Sequence, residues 1–458
     1  MSELPAAGEA VAERLAGLIA GLTPERLPST VRERCRDLVL DVAGLCLAAR
    51  HEPYVRALTD TADGDGPCTV FGLKRRVPAG EAALINGTAA HGEDFDDTFE
   101  GGPVHAGAVI VPTVLAAAER YGRDGDSALV GIAAGVETLC RLSLVTPQLV
   151  HRAGFHPTAV LGTMGAAVAA GATLGLGERE IVSALGIAGS MASGIIEYLA
   201  EGAWTKRLHP GWSAQAGLRA ALAAHAGFVG PRTVFEGVHG FFHGFAHKTD
   251  GDYGALLDDF GRRWVTETIA FKPYACGTMN HPYIDCARRL SAAGVRADDI
   301  EEITCEVAHG IVHRLWEPLA DKQRPPNGYA GKFSGPFCIA VAFLTGDAGL
   351  GAFTDENARD PEIRRLAAKI RFEVDPKNPY PNEFTGHLRA RLYSGRVIEE
   401  RQPYLRGGAH EPLPRADLEA KFEANAAYGG WSATESATAL DAIARLFRGS
   451  VDLAVFRR

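Results

Sequence analysis

Residues 155–177 have the sequence FHPTAVLGTMGAAVAAGATLGLG and make up most of the longest uncharged run in the chain. Most of its residues are Ala, Gly and Thr, which contribute little to membrane insertion, so the run indicates a buried helix and not a membrane span. Small side chains also let neighbouring helix axes approach closely. The stretch therefore predicts a core built from packed helices.

The same helical pattern extends in both directions from this run. Between residue 5 and about residue 265, apolar residues recur at helical spacing. They predict helices near 7–22, 28–50, 78–91, 110–122, 126–144, 158–175, 178–190 and 212–227. From about residue 414 the pattern is helical again, which predicts a large all-α domain formed by the N- and C-terminal parts of the chain.

A different pattern separates these two helical parts. Ile300–Val307 and Ile370–Val374 are predicted strands, and Leu388–Tyr393 and Arg396–Glu400 flank Ser-Gly, which is typical of a hairpin. Predicted helices lie among them near 282–293, 332–345 and 360–369. The fold class is therefore mainly α, with a smaller α/β lid domain (268–405) inserted into the helical domain (1–267 plus 406–458). A cleft between two such bodies is a common place for a ligand.

Composition and charge narrow the class of protein. The chain has 458 residues, 46% hydrophobic and 22% charged, as in ordinary globular proteins. A net charge of −9 without a basic block disfavours nucleic acid as a partner. The eight Cys residues form no CxxC pair, so free thiols in a reducing compartment are expected. The N-terminus has no basic segment before its apolar residues, and we expect a cytoplasmic protein.

The densest polar cluster is HGEDFDDT at 91–98, followed by His105. Four carboxylates within five residues repel one another and need compensation. A metal ion, a catalytic carboxylate that orients a neighbouring His or Lys, and a solvated loop that caps the next helix all fit this pattern.

Three His-Pro pairs each precede a predicted helix: His156-Pro157, His209-Pro210 and His281-Pro282. Proline suits the first helical turn, and the residue before it stands at the helix start, where free N–H groups attract anions. Such a position also disfavours imidazolium, which suits a neutral His that donates or accepts a proton. The alternative is that each His merely precedes a helix-starting Pro.

Two lysines lie near these pairs, Lys206 in WTKRLHPG and Lys272 in FKPYACGTMNHPYID. A cation among apolar and small residues is costly unless it is paired or binds an anion. Both lysines are therefore candidates for carboxylate binding or proton transfer, and the alternative is a lysine extending from a surface loop.

Seven stretches, in order along the chain, resemble the MmgE/PrpD family. They are ALINGTAAHGEDFDDTF, HAGAVIVPTVLAAAE, GFHPTAVLGTMGAA, WTKRLHPGWSAQAG, GFVGPRTVFEG, FKPYACGTMNHPYID and AGKFSGPFCIAVA. The resemblance implies a helical domain with an inserted α/β lid, an active site between them, and chemistry without a metal or an organic cofactor.

The resemblance also implies functional residues. Its motifs match Asp94, Thr98, His105, His156, Lys206 and Lys272 in this chain. We expect Asp94, His105, His156 and Lys272 to be catalytic, with Asp94 holding His105. We expect Thr98 and Lys206 to bind substrate, together with Arg207, His209 and His281, which lie in the motifs of Lys206 and Lys272. This chain departs from the family at His105-Ala106-Gly107, where members often have His-Pro-Gly. It also departs at Gly277, where decarboxylase members carry a histidine.

The implied activity is proton transfer at a carbon next to a carboxylate. We expect a cofactor-independent lyase that dehydrates a 2-methylcitrate-like di- or tricarboxylate, with decarboxylation or epimerisation as alternatives. A homodimer built through the helical domain is expected, without a membrane or nucleic-acid partner. A metal-dependent hydrolase that uses the acidic cluster, or a non-catalytic anion-binding protein, stays open.

Overall fold

A computed structural model describes residues 8–458, apart from the side chain of Glu201. The chain groups into two compact units. The first comprises Met1–Gly92, Asp97–Ile269 and Gly429–Arg458, and the second comprises Glu93–Asp96 and Ala270–Tyr428. Ala7, where the predicted first helix begins, lies outside the described residues.

The secondary structure of the first unit is mainly helical. Its helices before residue 269 are α1 (Val11–Ala20), α2 (Ser29–Ala49), α3 (Pro53–Thr61), α4 (Ala79–His91), α5 (Gly107–Tyr121), α6 (Gly125–Val145), α7 (Leu149–Arg152), α8 (Pro157–Leu174), α9 (Glu178–Met191), α10 (Tyr198–Glu201), α11 (Thr205–His225), α12 (Phe241–Ala246) and α13 (Tyr253–Leu257). The strands here are short: β1 (Cys68–Thr69), β2 (Arg76–Val77) and β3 (Thr98–Phe99), with β4 (Ile269–Ala270) at the division.

Helix α8, the predicted buried helix, lies at the centre of the first unit and packs against α5, α6, α9 and α11. Close approach depends on small residues. A Cβ added to Gly217 of α11 would lie 2.4 Å from the Cβ of Ala166 in α8. On the same helix, a Cβ at Gly211 would lie 2.1 Å from the Leu84 carbonyl oxygen in α4. Glycine therefore sets the spacing on both sides of α11.

Two helices of this unit, α6 and α8, are long and apolar enough to cross a membrane by length and composition. Their apolar windows are 94% and 89% buried inside the fold. Packing within the unit thus accounts for their composition.

The second unit combines a sheet with helices. The helices are α14 (His281–Ala292), α15 (His309–Leu315), α16 (Leu319–Lys322), α17 (Gly328–Gly331), α18 (Gly335–Thr345), α19 (Asp355–Arg359), α20 (Pro361–Ala367) and α21 (Arg415–Tyr428). The strands β5 (Ile300–Val307), β6 (Ile370–Val374), β7 (Gly386–Leu392) and β8 (Val397–Gln402) form one sheet in the order β6-β5-β7-β8. Only the β5–β6 pair is parallel. Helix α14 packs on β7 and β8.

The last helix, α22 (Ala433–Arg445), returns to the first unit and contacts α2. The residues after it are tied to the early part of the chain. The Phe456 carbonyl accepts a hydrogen bond of 2.8 Å from the Gly72 amide, and Arg457 donates to Glu119 at 2.9 Å. Residues from both ends thus build one helical unit.

The sequence located most elements, and the strands over Ile300–Val307 and Ile370–Val374 are confirmed at both ends. The β7–β8 hairpin is confirmed too, with Gly395 of its turn at φ 81°. The helix predicted over 332–345 begins only at Gly335, because the Ser334 side chain caps it by accepting from the Phe337 amide.

One predicted helix start is wrong. Helix α11 begins at Thr205, so Pro210 lies inside it and His209 does not stand at a helix start. A proline inside a helix cannot donate a hydrogen bond to the carbonyl four residues earlier. For that reason the sequence pattern predicted a helix boundary at Pro210. Lys206 and Arg207 consequently lie in the first turn of α11.

The two compact units can be compared with the predicted domains. The predicted lid ran from 268 to 405, whereas the second unit runs from Ala270 to Tyr428 and also contains Glu93–Asp96. Helix α21 belongs there by its contacts, such as the 3.1 Å ion pair between Arg406 and Asp417. The sequence pattern had grouped this helix with the helical domain.

Candidate functional site

Four histidines from four parts of the chain meet in the first unit. His91 ends α4, His105 precedes α5, His156 immediately precedes α8 and His209 lies in α11. The His91 ring centroid lies 5.0 Å from that of His105 and 5.7 Å from that of His156. The His156 and His209 centroids lie 5.3 Å apart. We call these four residues the histidine cluster.

His105 is held by the main chain of Asp97. Its Nδ1 atom lies 2.6 Å from the Asp97 carbonyl oxygen, which can only accept, so Nδ1 carries the proton and Nε2 is the basic nitrogen. The buried Asp97 carboxylate accepts from the amides of Ala106 and Gly107 at 3.0 and 2.8 Å, at the start of α5. This arrangement fixes the ring through the helix start.

The acceptor of the proton-bearing nitrogen of His105 is thus a main-chain oxygen, and the predicted support of His105 by Asp94 stays a prediction. The Asp94 carboxylate pairs with Lys272, 3.2 Å from Nζ. A carbonyl suffices because it fixes the tautomer as a carboxylate does, without adding a charge.

His156 and His209 form a coupled pair. Their Nδ1 atoms lie 3.1 Å apart, so one donates and the other accepts. Burial holds the pKa of His156 well below its usual range, and the charges of His91 and His209 add to this effect. Burial and the nearby His91 and Lys206 lower the pKa of His209 to about 4. Near neutral pH both rings are uncharged.

Three more predicted residues lie in the first unit, and one of them, Lys206, acts on the cluster through its charge. Lys206 is close enough for its charge to lower the pKa of both His156 and His209. Arg207 lies with its guanidinium 4.4 Å from the centre of the Tyr54 ring, a cation–π contact. Thr98 is buried at the start of β3.

The second unit holds a cluster of lysines and carboxylates. Lys272 is buried, and its Nζ lies 3.2 Å from the Asp94 carboxylate, 3.9 Å from that of Asp96 and 2.9 Å from the Asp94 carbonyl oxygen. Lys332, also buried, pairs with Glu93 at 2.9 Å. The lysines thus compensate the repulsion among the carboxylates that the sequence implied.

His281 has a different setting from the other predicted histidines. It is fully buried at the first position of α14, and its Nε2 atom lies 3.1 Å from the Cys276 carbonyl oxygen. Its ring meets the Tyr274 ring edge-on at 5.3 Å. Nδ1 has no hydrogen-bond partner among the described residues.

Sequence reasoning missed three contributors to these clusters. His91 was quoted with the acidic run but not assigned, although its place at the end of a helix beside that run was a signal. Lys332 lies in the motif AGKFSGPF, and a lysine among apolar residues was again a signal. No sequence signal pointed to Tyr198, whose ring centroid lies 6.0 Å from that of His156 and 5.8 Å from that of His209.

Comparison with known proteins identifies the class. The profile of the MmgE/PrpD N-terminal domain matches residues 13–253, and that of the MmgE/PrpD C-terminal domain matches residues 274–445. Because the two matches together cover most of the chain, it belongs to the MmgE/PrpD family. The resemblance seen in the motifs is confirmed.

Among similar proteins are cis-aconitate decarboxylases from animals and a fungus. Those of Mus musculus and Homo sapiens are each 28% identical to this chain, over 91% and 93% of it and over 87% and 90% of their own lengths. That of Aspergillus terreus is 27% identical over 88% of this chain and 86% of its own length.

Proposed function

We propose that this protein is a lyase that acts on a small di- or tricarboxylate by moving a proton at a carbon next to a carboxylate. The observation that carries the proposal is the histidine cluster, in which the His105 tautomer is fixed by Asp97 and His156 and His209 are held neutral. The names of the similar decarboxylases support a lyase acting on tricarboxylates.

His105 is the proposed base. Its Nε2 atom removes the proton, and the electron pair of the broken C–H bond moves toward the neighbouring carboxylate. Neutral His156 and His209 are suited to donate hydrogen bonds to the substrate without adding charge. Lys206 stabilises the negative charge that builds on the carboxylate in the transition state.

Dehydration of a 2-methylcitrate-like hydroxy acid is the first proposed outcome. The electron pair from the C–H bond forms a C=C bond, the C–O bond on the adjacent carbon breaks, and the hydroxide leaves as water with a proton from an acid. Lys272 is proposed either to donate this proton or to bind a carboxylate of the substrate. Asp94 sets the position of its ammonium group.

Decarboxylation of a cis-aconitate-like substrate is the second candidate. The similarity to three cis-aconitate decarboxylases favours it. Gly277 weighs against it, because it stands where the resemblance places a histidine in decarboxylases. In this outcome a C–C bond breaks, carbon dioxide leaves, and the acid returns a proton to carbon.

Proton NMR in D2O, with the pure protein and a panel of di- and tricarboxylates, tests the proposal. Dehydration predicts loss of a C–H signal and growth of the signals of the unsaturated product, whereas decarboxylation predicts carbon dioxide and deuterium in the product. His105→Ala is expected to slow either change by at least about 10²-fold. His239→Gln, at an exposed histidine, serves as the matched control. If no substrate in the panel exchanges, loses water or loses carbon dioxide, the proposal is wrong.

A further inference from the structure

Three lysines of the second unit bind three successive carbonyl oxygens of one short segment. Lys332 Nζ donates to the Glu93 carbonyl oxygen at 2.7 Å. Lys272 Nζ donates to that of Asp94 at 2.9 Å, and Lys421 Nζ to that of Phe95 at 2.7 Å. The lysines come from distant parts of the chain, so this arrangement is built by the tertiary structure. We call it the lysine clamp.

Each lysine of the clamp also contacts the side chain of the residue whose carbonyl it binds. Lys332 pairs with the Glu93 carboxylate at 2.9 Å, and Lys272 pairs with that of Asp94 at 3.2 Å. The Lys421 ammonium lies 4.0 Å from the centre of the Phe95 ring. Main chain and side chain are thus bound together, which fixes both the path of the segment and the direction of its side chains.

The segment needs such a restraint. Asp94 is buried and has φ 54°, in the left-handed region that a non-glycine residue adopts at a cost. A residue persists there when its surroundings over-determine the conformation. Charge-assisted hydrogen bonds to the carbonyls of Glu93, Asp94 and Phe95 supply that restraint.

We propose that Lys332 and Lys421 are positioning residues that hold Asp94 in the conformation used for catalysis. The inference rests on the proposed function for the catalytic part, since Asp94 sets the position of the Lys272 ammonium group. The holding of the segment itself depends only on the contacts of the clamp. Lys332 and Lys421 act through the segment and touch no substrate in this proposal.

The competing explanation is that these lysines only stabilise the fold. The chain offers a matched control in Lys322, a partly buried lysine of the same unit. Its Nζ also donates to two main-chain carbonyls, those of Arg314 and Phe333, at 2.6 and 2.9 Å. Replacing it by methionine removes a similar set of hydrogen bonds without touching the segment.

The experiment compares Lys332→Met, Lys421→Met and Lys322→Met in the full chain. Hydrogen exchange by mass spectrometry follows the peptide that covers residues 91–98, and steady-state kinetics gives kcat and KM for the carboxylate that the wild type turns over. The two clamp variants are expected to exchange at least about tenfold faster in this peptide. They are expected to lose at least about tenfold in kcat, with KM changed less than about threefold. Lys322→Met is expected to keep wild-type exchange there and a wild-type kcat.

Lys332→Arg covers the case in which a methionine variant fails to fold, because it keeps the charge and a hydrogen-bond donor. It is expected to restore slow exchange and part of kcat. Unchanged exchange at 91–98 in the clamp variants overturns the proposal, and so does an equal loss of kcat in Lys322→Met. If the wild type turns over no carboxylate, the proposed function fails, and the exchange data alone then decide whether the clamp holds the segment.

Discussion

The lowered pKa of His209 makes a quantitative prediction about stability. In the unfolded chain its pKa is near the ordinary value of 6.5, and in the folded protein it is about 4. As the pH falls from 6.5 to 4, the unfolded state takes up a proton that the folded state does not. The free energy of unfolding should therefore fall by up to ~1.4 kcal/mol per pH unit from this group, or about 3 kcal/mol in all.

The substitution His209→Gln removes that titration and keeps a side chain that can hydrogen-bond to Nδ1 of His156. We expect the variant to be less stable than the wild type at pH 7, because the packing of the ring is lost. Its free energy of unfolding should nevertheless depend less steeply on pH between 6.5 and 4. Urea denaturation at half-unit steps of pH measures both curves, with exposed His239→Gln as the control. Parallel curves for wild type and His209→Gln over this range would refute the reasoning.

Four further predictions concern activity and assembly. His105→Ala should lower kcat by at least about 10²-fold with little change in Tm, measured by kinetics and calorimetry; an early melt with normal turnover would move the base to His156 or Lys272. Lys206→Ala should raise KM for the anionic substrate as well as lower kcat, and a change in kcat alone would contradict its binding role. Dialysis against EDTA should leave turnover unchanged, and a loss restored by a divalent ion would favour a metal-dependent hydrolase. Light scattering at micromolar concentration should give the mass of a dimer, and a monomeric mass would count against the predicted assembly.

The sequence predicted elements well where one physical signal dominated. Helix α8 is confirmed nearly at its predicted bounds, because His156-Pro157 starts it and Gly175, at φ 74°, ends it. The sequence pattern did not locate the start of α11, because Pro210 is tolerated inside a helix that tertiary packing stabilises. A local rule cannot anticipate a cost that is offset by distant contacts.

The candidate site shows the same limit. The sequence motifs identified His105 and His156 as candidates, and in the structure the ring of His91 lies near both of them. The hydrogen bond from His105 to the Asp97 carbonyl oxygen could not be predicted, because every residue has a main-chain acceptor and the sequence does not distinguish one from another. The lysine clamp was missed for a related reason: its acceptors are carbonyls too.

The return of the chain to the first unit has a consequence for the order in which the protein forms on the ribosome. Synthesis delivers the second unit in full before residues such as Phe456 and Arg457 exist to meet Gly72 and Glu119. Helix α2 likewise emerges long before its partner α22. Until then, the surface of the helical unit that residues 429–458 will cover stays exposed in the nascent chain. Exposed apolar surface in an incompletely folded chain favours aggregation. Chaperones that shield emerging chains should matter most for this protein during that interval.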